Sequence, residues 1–344
     1  MTFFETAART MVYVSNADSR EIYVLELNEK NGELKIIEKV AVTGNVMPLA
    51  ISPNHKFLYA SLRSEPFSVS SFAINPENGK LTLIKNTPLA DNMAYLSTDR
   101  TGRYLFGASY SGNKISVNSI AKDGEINPQP LQIIPTGKNA HCILTDFSNK
   151  FLFVSTLGED RLLQFKFDEK SGNLSTNEPP TVETKKGAGP RHFVFHPNHR
   201  LVFGNNELDG TVSVYRLDSS GTLQLLESTS IMPANSKEKP WSGDIRLTLN
   251  GKFLYASERT TSTITAFRVD DKNGKLTLID NYPTELQPRG FNVSPDGKYL
   301  MVVGQKSNSL SVYQIDQKIG TLNRKFQIEV GKNPNWVEIV KLPK

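Results

Sequence analysis

The sequence has little of what would suggest a secreted, membrane-spanning or disulfide-stabilised protein. One cysteine among 344 residues excludes an internal disulfide framework. There is no run of about 18 apolar residues, so no transmembrane helix is expected. The first ten residues, MTFFETAART, lack the basic start and the long apolar stretch of a secretory signal. We therefore expect a cytoplasmic protein.

The charge balance is only mildly basic. The 40 Lys and Arg residues against 35 Asp and Glu residues give a net charge of +5. The lysines are spread through turns, and no basic stripe with interleaved aromatic residues is present, which argues against a nucleic-acid-binding surface. A mild excess of positive charge instead favours small anionic ligands.

What the sequence does contain is one pattern written seven times. A short apolar run recurs every 46–52 residues, followed by an alternating strand pattern, a turn such as NGK and another short strand. The seven apolar runs begin at the anchor residues Met11, Phe57, Tyr104, Phe151, Leu201, Phe253 and Tyr299. Because the repeat holds only strand patterns and has a length in the forties, it predicts a β-propeller.

Each repeat predicts a blade of four strands. In the last copy these strands are expected at residues 290–293, 299–303, 310–315 and 326–330. The first copy begins directly at its second strand, and residues 335–340 supply an inner strand that is expected to pair with residues 11–15. An open ring would leave unpaired strand edges. We therefore predict an all-β, seven-bladed propeller of four-stranded blades, closed by N- and C-terminal strands that share the first blade.

The whole chain, residues 1–344, is predicted to form this single propeller domain, with residues 1–10 as an N-terminal extension.

Strand direction then predicts where ligands bind. The residue that enters each inner strand lies ten residues before an anchor, and the residue that leaves each second strand lies six residues after it. Both positions fall on the same face of the disc, at the mouth of its central channel, which is a usual place for a ligand.

Polar residues occupy many of these positions, mainly in blades four to seven. They are Arg63, Tyr110, His141, Arg191, Glu207, Arg259, Arg289 and Gln305. We expect the arginines to hold a small anion, with Glu207 and His141 available for proton transfer. The alternative is that each residue is simply a solvated charge at the end of a loop.

Other candidate sites are weaker. His192, His196 and His199 suggest a metal site by residue type, but the last two fall near the face opposite the first, so no metal is expected. Cys142 directly follows His141, and adjacent strand residues point to opposite sides, so a buried core thiol is expected rather than a nucleophile. The sequence has no phosphate-binding glycine loop and no nucleophile elbow, and no cofactor is expected.

Five segments carry a resemblance to a known family. They are GAGPRHFVFHPN from Gly187, NNELDGTVSVY from Asn205, SERTTSTITAF from Ser257, QPRGFNVSPDGKYL from Gln287 and GQKSNSLSVY from Gly304. With these segments the chain resembles the seven-bladed propeller 6-phosphogluconolactonases of enteric-type bacteria, over nearly all of its length after the first ten residues. In a related fungal carboxymuconate cyclase a His, an Arg, a Glu and a second Arg are proposed as the site. Matched motif by motif, they fall on His141, Arg191, Glu207 and Arg259.

The resemblance implies hydrolysis of 6-phospho-D-glucono-1,5-lactone to 6-phospho-D-gluconate in the oxidative pentose phosphate pathway. Glu207 or His141 would then be the acid or base, and Arg191 and Arg259 would stabilise the oxyanion or carboxylate. The residues expected to hold the substrate and its phosphate are Arg63, Arg289, Gln305 and Lys306.

Two alternatives remain open from the sequence. One is a lactonase or cycloisomerase acting on another sugar-acid lactone or on a muconate. The other is a non-catalytic propeller that serves as a scaffold or ligand-binding protein. In each case we expect a monomer without nucleic-acid or membrane partners.

Overall fold

The chain folds into a ring of seven blades. This computed structural model describes residues 8–343, which form 28 strands and one short 3-10 helix, Leu157–Glu159. Each blade is a separate four-stranded sheet of antiparallel neighbours. The predicted all-β, seven-bladed architecture is confirmed. Within the described part of the chain, no helix is long and apolar enough to cross a membrane, and residues 1–7 of the predicted extension lie outside the described residues.

The first four blades hold the strands β1 to β15 and run along the chain from the N-terminus. Blade 1 contains β1 to β3, at Thr10–Asn16, Glu21–Leu27 and Leu34–Ala41. Blade 2 contains β4 to β7, at Val46–Ile51, Phe57–Leu62, Ser68–Ile74 and Leu81–Pro88. Blade 3 contains β8 to β11, at Met93–Thr98, Tyr104–Ser109, Lys114–Ser119 and Gln132–Pro135. Blade 4 contains β12 to β15, at Ala140–Thr145, Phe151–Thr156, Arg161–Phe167 and Leu174–Glu183.

The remaining strands form blades 5 to 7 and complete blade 1. Blade 5 contains β16 to β19, at Pro190–Phe195, Leu201–Asn206, Thr211–Leu217 and Leu223–Ser230. Blade 6 contains β20 to β23, at Ser242–Leu247, Phe253–Glu258, Thr263–Val269 and Leu276–Pro283. Blade 7 contains β24 to β27, at Pro288–Val293, Tyr299–Gly304, Ser309–Ile315 and Leu322–Glu329. The last strand, β28 at Pro334–Lys341, is the inner strand of blade 1.

The two ends of the chain close the ring in blade 1. β28 pairs with β1 in antiparallel register, with Met11 opposite Val340 and Ser15 opposite Trp336. This pairing confirms the predicted closure. It supplies β1 with a hydrogen-bonded neighbour on its inner side, so the blade has the same four strands as the other six.

The seven anchor residues join each blade to the next. In every blade the anchor packs against a glycine with positive φ in a turn of the following blade. A Cβ atom on that glycine would lie only 2.0–3.1 Å from the anchor side chain. The anchor–glycine pairs are Met11–Gly79, Phe57–Gly124, Tyr104–Gly172, Phe151–Gly221, Leu201–Gly274, Phe253–Gly320 and Tyr299–Gly32. Only glycine adopts this positive φ easily and also lacks a Cβ atom. This explains why the apolar anchor and the glycine of the turn both recur in the sequence repeat.

The outer strand of blade 7 begins earlier than the sequence pattern suggests. It was expected at residues 326–330 and occupies Leu322–Glu329. A β-bulge shifts its pairing with β26 between Val312 and Tyr313, which interrupts the alternation of buried and exposed residues. Residues 323–325 are exposed polar residues that carry no strand pattern, since this strand faces solvent at the rim.

Removal of β28 should strongly destabilise the protein. Truncation from Asn335 onward deletes the inner strand of blade 1, including the buried residues Trp336, Val337 and Val340. We expect a loss of at least roughly 4 kcal/mol in the free energy of unfolding, measured by urea denaturation. Removal of only residues 343–344, which follow the strand, is the control and should leave the midpoint unchanged. Equal midpoints for both truncations would contradict the closure.

Candidate active site

Every inner strand carries a β-bulge close to its first residue, and this bulge places the mouth residues. The pairing register of the inner strand skips His141 in blade 4, Arg191 in blade 5 and Arg289 in blade 7. The residues skipped in the other blades are Met47, Pro48, Ala94, Gly243, Asp244 and Asn335. A bulge re-aims a side chain out of the regular alternation. In blades 2 to 7, the positions ten residues before the anchors are therefore places where the backbone leaves the sheet pattern.

Short polar side chains on the second strands hold these bulges and link them to the neighbouring blade. Ser155 accepts the backbone N–H of Cys142 at 3.0 Å and donates to the carbonyl of Arg191 at 2.5 Å. In the next blade, Asn205 donates its amide to the carbonyl of Gly243 at 3.1 Å. Ser155 of blade 4 therefore holds the backbone at Arg191, independently of the contacts that the Arg191 side chain makes.

An ion-pair cluster crosses blades 5 and 6 at the mouth. Glu207 Oε2 accepts from Arg191 Nε at 2.9 Å and from Arg259 Nη2 at 2.8 Å. Arg259 also donates to the carbonyls of Trp241 and Ser242, at 3.1 and 2.8 Å, and its guanidinium lies 3.9 Å from the centroid of a Trp241 ring. Burial alone would raise the pKa of Glu207, but the two guanidinium groups outweigh it and lower that pKa. Glu207 is therefore an ionised carboxylate at neutral pH.

His141 lies beside this cluster with an unused ring nitrogen. The residue is only 3% exposed, its ring centroid is 5.0 Å from that of His192 and 5.7 Å from that of Tyr110, and among the described residues its buried Nδ1 has no hydrogen-bond partner. Burial, together with the charge of Arg191, holds the pKa of His141 well below its usual value. The imidazole is therefore neutral at pH 7 and able to accept a proton.

Positive charge exceeds negative charge at the mouth. Burial first, and then the guanidinium groups of Arg191, Arg259 and Arg63, lower the pKa of Arg289 well below its usual value, while Glu207 raises it. Two buried donors, Arg191 Nη2 and Arg289 Nε, have no partner within residues 8–343. Buried donors are normally satisfied, so the arrangement suits an anion that would complete both.

The substrate-binding residues expected from the sequence differ in their surroundings. Arg63 donates from Nε to Asn92 Oδ1 at 2.5 Å, and its pKa is lowered by burial and then by Arg191. The Gln305 amide is already engaged, since it accepts from Gln287 at 3.0 Å and donates to Asn333 at 2.7 Å. Lys306 is exposed on the turn that follows β25. Gln305 thus has fewer free hydrogen-bonding groups than the sequence pattern implied.

The sequence analysis missed a buried network beneath the mouth. Asp244 Oδ1 is 2.7 Å from His192 Nδ1 and 2.9 Å from Arg246 Nη1. His192 is therefore bound to a carboxylate, whereas His196 contacts the carbonyl of Gly251 at 3.1 Å and His199 stacks on an aromatic ring elsewhere. No group of residues in the described chain is arranged to hold a metal ion. The signal for this network in the sequence is Asp244 directly after the mouth position Gly243, since the bulge of blade 6 spans both residues.

Cys142, next to His141, is fully buried as a free thiol. Burial raises its pKa to about 12, so it is a thiol rather than a thiolate at neutral pH. This agrees with the prediction of a core thiol and leaves His141 without a nucleophilic partner at the adjacent position.

Together, these side chains give the ring of seven blades an arginine-rich mouth. Residues 10–339 match the family described as a 7-bladed β-propeller lactonase. The 6-phosphogluconolactonase of Pectobacterium carotovorum is 40% identical over 96% of this chain and 99% of its own length. That of Serratia proteamaculans is 39% identical over the same shares. The structure of a periplasmic gluconolactonase from Pseudomonas aeruginosa superposes with a TM-score of 0.90 at 26% identity, covering 97% and 100% of the two chains.

The chain belongs to the seven-bladed β-propeller lactonase family. The match covers all seven blades, including the blade shared by the two ends of the chain. The resemblance noted in the sequence is thereby confirmed.

The close packing at Gly243 should make this position intolerant of any side chain. A Cβ atom there would lie 2.6 Å from the carbonyl oxygen of Pro288 and 3.1 Å from that of Arg289, and backbone atoms cannot move aside easily. We expect Gly243→Ala to cost about 1–3 kcal/mol of stability in thermal unfolding. Gly204→Ala is the matched control, since its nearest neighbours lie at 3.5 Å, and it should leave stability unchanged or slightly higher. Equal effects of the two substitutions would contradict the packing argument.

Proposed function

We propose that this protein hydrolyses 6-phospho-D-glucono-1,5-lactone to 6-phospho-D-gluconate. The observation that carries the proposal is the Arg191–Glu207–Arg259 cluster beside a neutral His141, in a member of the lactonase family. Relatives about 40% identical over nearly the whole chain bear the name of this activity. The mouth supports the same chemistry, because lactone opening needs an activated water, stabilisation of an oxyanion and a proton for the leaving oxygen.

We assign His141 as the general base, one of the two candidates that the sequence left open. Its Nδ1 is unused and its ring is neutral, whereas Glu207 Oε2 is occupied by two guanidinium groups. The base removes a proton from water as the water oxygen adds to the lactone carbonyl carbon. The bond between that carbon and the ring oxygen then breaks, and the proton is returned to the departing alkoxide.

Arg191 and Arg259 are assigned to the charge that develops on the carbonyl oxygen. Glu207 holds both guanidinium groups at 2.9 and 2.8 Å, so they need little reorganisation when the oxyanion forms. The unpartnered Nη2 of Arg191 is the donor available for that oxygen. Once the ring has opened, the same donors bind the product carboxylate.

Arg289 is assigned to the phosphate, together with Arg63, whose charge also lowers the pKa of Arg289. The half-buried Arg289 lies under the influence of the other guanidinium groups, and its buried Nε has no partner in the described chain. A dianionic phosphate would supply both the missing acceptor and the missing negative charge. Lys306, exposed on the following turn, is proposed as an outer contact, and the role predicted for Gln305 stays a prediction.

The activity is tested by measuring hydrolysis of freshly generated 6-phosphogluconolactone under conditions where spontaneous opening is slow. The proposal requires a clear enzymatic rate above that background. A muconate lactone and unphosphorylated glucono-1,5-lactone serve as comparison substrates. A second candidate substrate is the unphosphorylated lactone, because the structurally similar Pseudomonas aeruginosa protein is named a gluconolactonase. An absence of turnover with every lactone would leave the non-catalytic alternative.

Substitution of Arg289 should separate phosphate recognition from chemistry. Arg289→Ala removes a contact that is made equally in the ground state and the transition state, so it should raise KM for the phosphorylated lactone about 10- to 100-fold with kcat little changed. The unphosphorylated lactone should be affected far less. Arg216→Ala removes an exposed guanidinium on blade 5 and serves as the control. A similar loss on both lactones would place Arg289 with the chemistry instead.

His141→Asn should remove the acidic limb of the pH–rate profile. In the wild type, kcat/KM is expected to fall as the pH drops through the pKa of His141, which lies below its usual value, because the protonated ring no longer accepts a proton. The variant should lose roughly 10²- to 10⁴-fold in kcat. Its residual activity should no longer depend on that pKa. If Glu207→Gln removes the limb and His141→Asn does not, Glu207 is the base.

We also propose a cytoplasmic monomer, because phosphorylated sugars are formed and used inside the cell. The similar gluconolactonase from Pseudomonas aeruginosa is described as periplasmic, so the location calls for its own measurement. Cell fractionation with an epitope-tagged chain tests the location, and sedimentation of the purified protein tests the oligomeric state.

A further inference from the structure

We propose that His192 and Asp244 form a positioning pair that holds the Arg191 guanidinium through a neutral imidazole and leaves one guanidinium nitrogen free for the substrate oxyanion. The inference rests on the proposed function for the identity of that oxyanion. The pair itself comes from two different blades, since His192 lies on β16 and Asp244 on β20.

Asp244 determines which nitrogen of His192 carries the proton. Its Oδ1 lies 2.7 Å from His192 Nδ1 and accepts from Arg246 Nη1 and from the backbone N–H of Ile245, each at 2.9 Å. Asp244 and His192 are 1% and 2% exposed. Burial raises the pKa of Asp244, and the Arg246 and Arg191 guanidinium groups oppose this shift. A carboxylate ionised beside these cations only accepts hydrogen bonds, so the proton between the two residues belongs to Nδ1 of the ring. Nε2 then carries the lone pair.

The other side of the His192 ring meets Arg191. Arg191 Nη1 lies 3.1 Å from Nε2 and 3.3 Å from Nδ1, and it also donates to the carbonyl of Gly243. The nearer ring nitrogen is Nε2, which carries the lone pair, so a neutral ring can accept from the guanidinium there. A neutral imidazole accepts the guanidinium, whereas an imidazolium would place a second positive charge against it. Burial and the charge of Arg191 both lower the pKa of His192, in agreement with a neutral ring.

These contacts account for two of the three nitrogens of Arg191. Nε is bound to Glu207, Nη1 to His192 and Gly243, and Nη2 has no partner within the described residues. The side chain is fully buried, so the free nitrogen is held in one position rather than moving in solvent. Since a small misplacement of a catalytic group costs a large factor in rate, His192 and Asp244 should affect turnover without touching the substrate.

The neighbouring His196 offers a matched control. It is also buried in blade 5, at 3% exposure, and its ring nitrogens contact the carbonyl of Gly251 and the backbone N–H of Asn198 at 3.1 Å. Loss of His196 therefore removes a buried imidazole from the same blade without altering Arg191. His196→Gln should lower thermal stability but leave kcat unchanged.

The test compares His192→Phe with His192→Gln. Phenylalanine keeps a planar ring but offers no nitrogen, so kcat should fall roughly 10- to 100-fold, with a much smaller change in KM. Glutamine places an amide oxygen near the position of Nε2, so His192→Gln should retain kcat to within about threefold of the wild type. Urea midpoints of all three variants separate these effects from stability. A kcat for His192→Phe equal to that of the wild type, or an equal loss in His192→Gln, would overturn the proposal.

A measurement on the unaltered protein does not depend on activity or on the folding of a variant. Selective ¹⁵N labelling of the five histidines, with His192→Gln to assign the signal, should show His192 neutral and protonated on Nδ1 at pH 7. An imidazolium, or the tautomer protonated on Nε2, would overturn the positioning pair. If the expected tautomer is found in a protein that hydrolyses no lactone, the proposed function fails and the pair stands. If lactonase activity is found with the wrong tautomer, the pair fails and the function stands.

Discussion

The contact between an anchor side chain and a left-handed glycine of the next blade is the interaction on which the ring depends. It occurs seven times, and the last pair joins Tyr299 of blade 7 to Gly32 of blade 1. The same anchor–glycine contact therefore packs each blade against the next one, whichever side chain serves as the anchor. Because the glycine has no side chain, the anchor packs directly against the backbone of the following blade.

The mouth shows how a ring of blades can bring polar side chains together without a long loop. Its main residues lie within one or two positions of the end of a strand. They come from several blades rather than from a pocket within one blade. Arg191 illustrates the principle. Its backbone is held by Ser155 from blade 4, and its guanidinium contacts Glu207 in its own blade and Gly243 in blade 6. A side chain held from three blades needs no further ordering when the ligand arrives.

The fold followed from the sequence to a large degree because the repeat reports each blade independently. Seven anchors in frame predicted the number of blades, and the missing inner strand of the first copy predicted the pairing of Ser15 with Trp336. The outer strand of blade 7 was misplaced because its polar residues lie at the solvent-facing rim, where burial no longer imposes a pattern. A periodic sequence pattern locates a strand only where burial is regular, either on both faces of the strand or consistently on one face.

The candidate site was predicted less completely, for a physical reason. Strand direction selected Arg191, Glu207 and Arg259, whose ion pairs the structure contains. It did not reveal that Asp244 reaches His192, because contacts between blades depend on bulge geometry and on side-chain direction, and neither leaves a clear mark in a single sequence. The role predicted for Gln305 stays a prediction, and its amide accepts from Gln287 and donates to Asn333.

The shared blade has a consequence for the order in which the chain can fold. β1 is synthesised before its inner partner β28, which lies more than 300 residues further along the chain. Until β28 has been synthesised, the inner edge of β1 has no hydrogen-bonded neighbour and the ring stays open. Contacts of such large sequence separation are the slowest to form because the loop that joins them must first be closed. The ring can therefore close only after β28 has been synthesised, and the exposed edge of β1 is the point at which a nascent chain is most open to pairing with another copy.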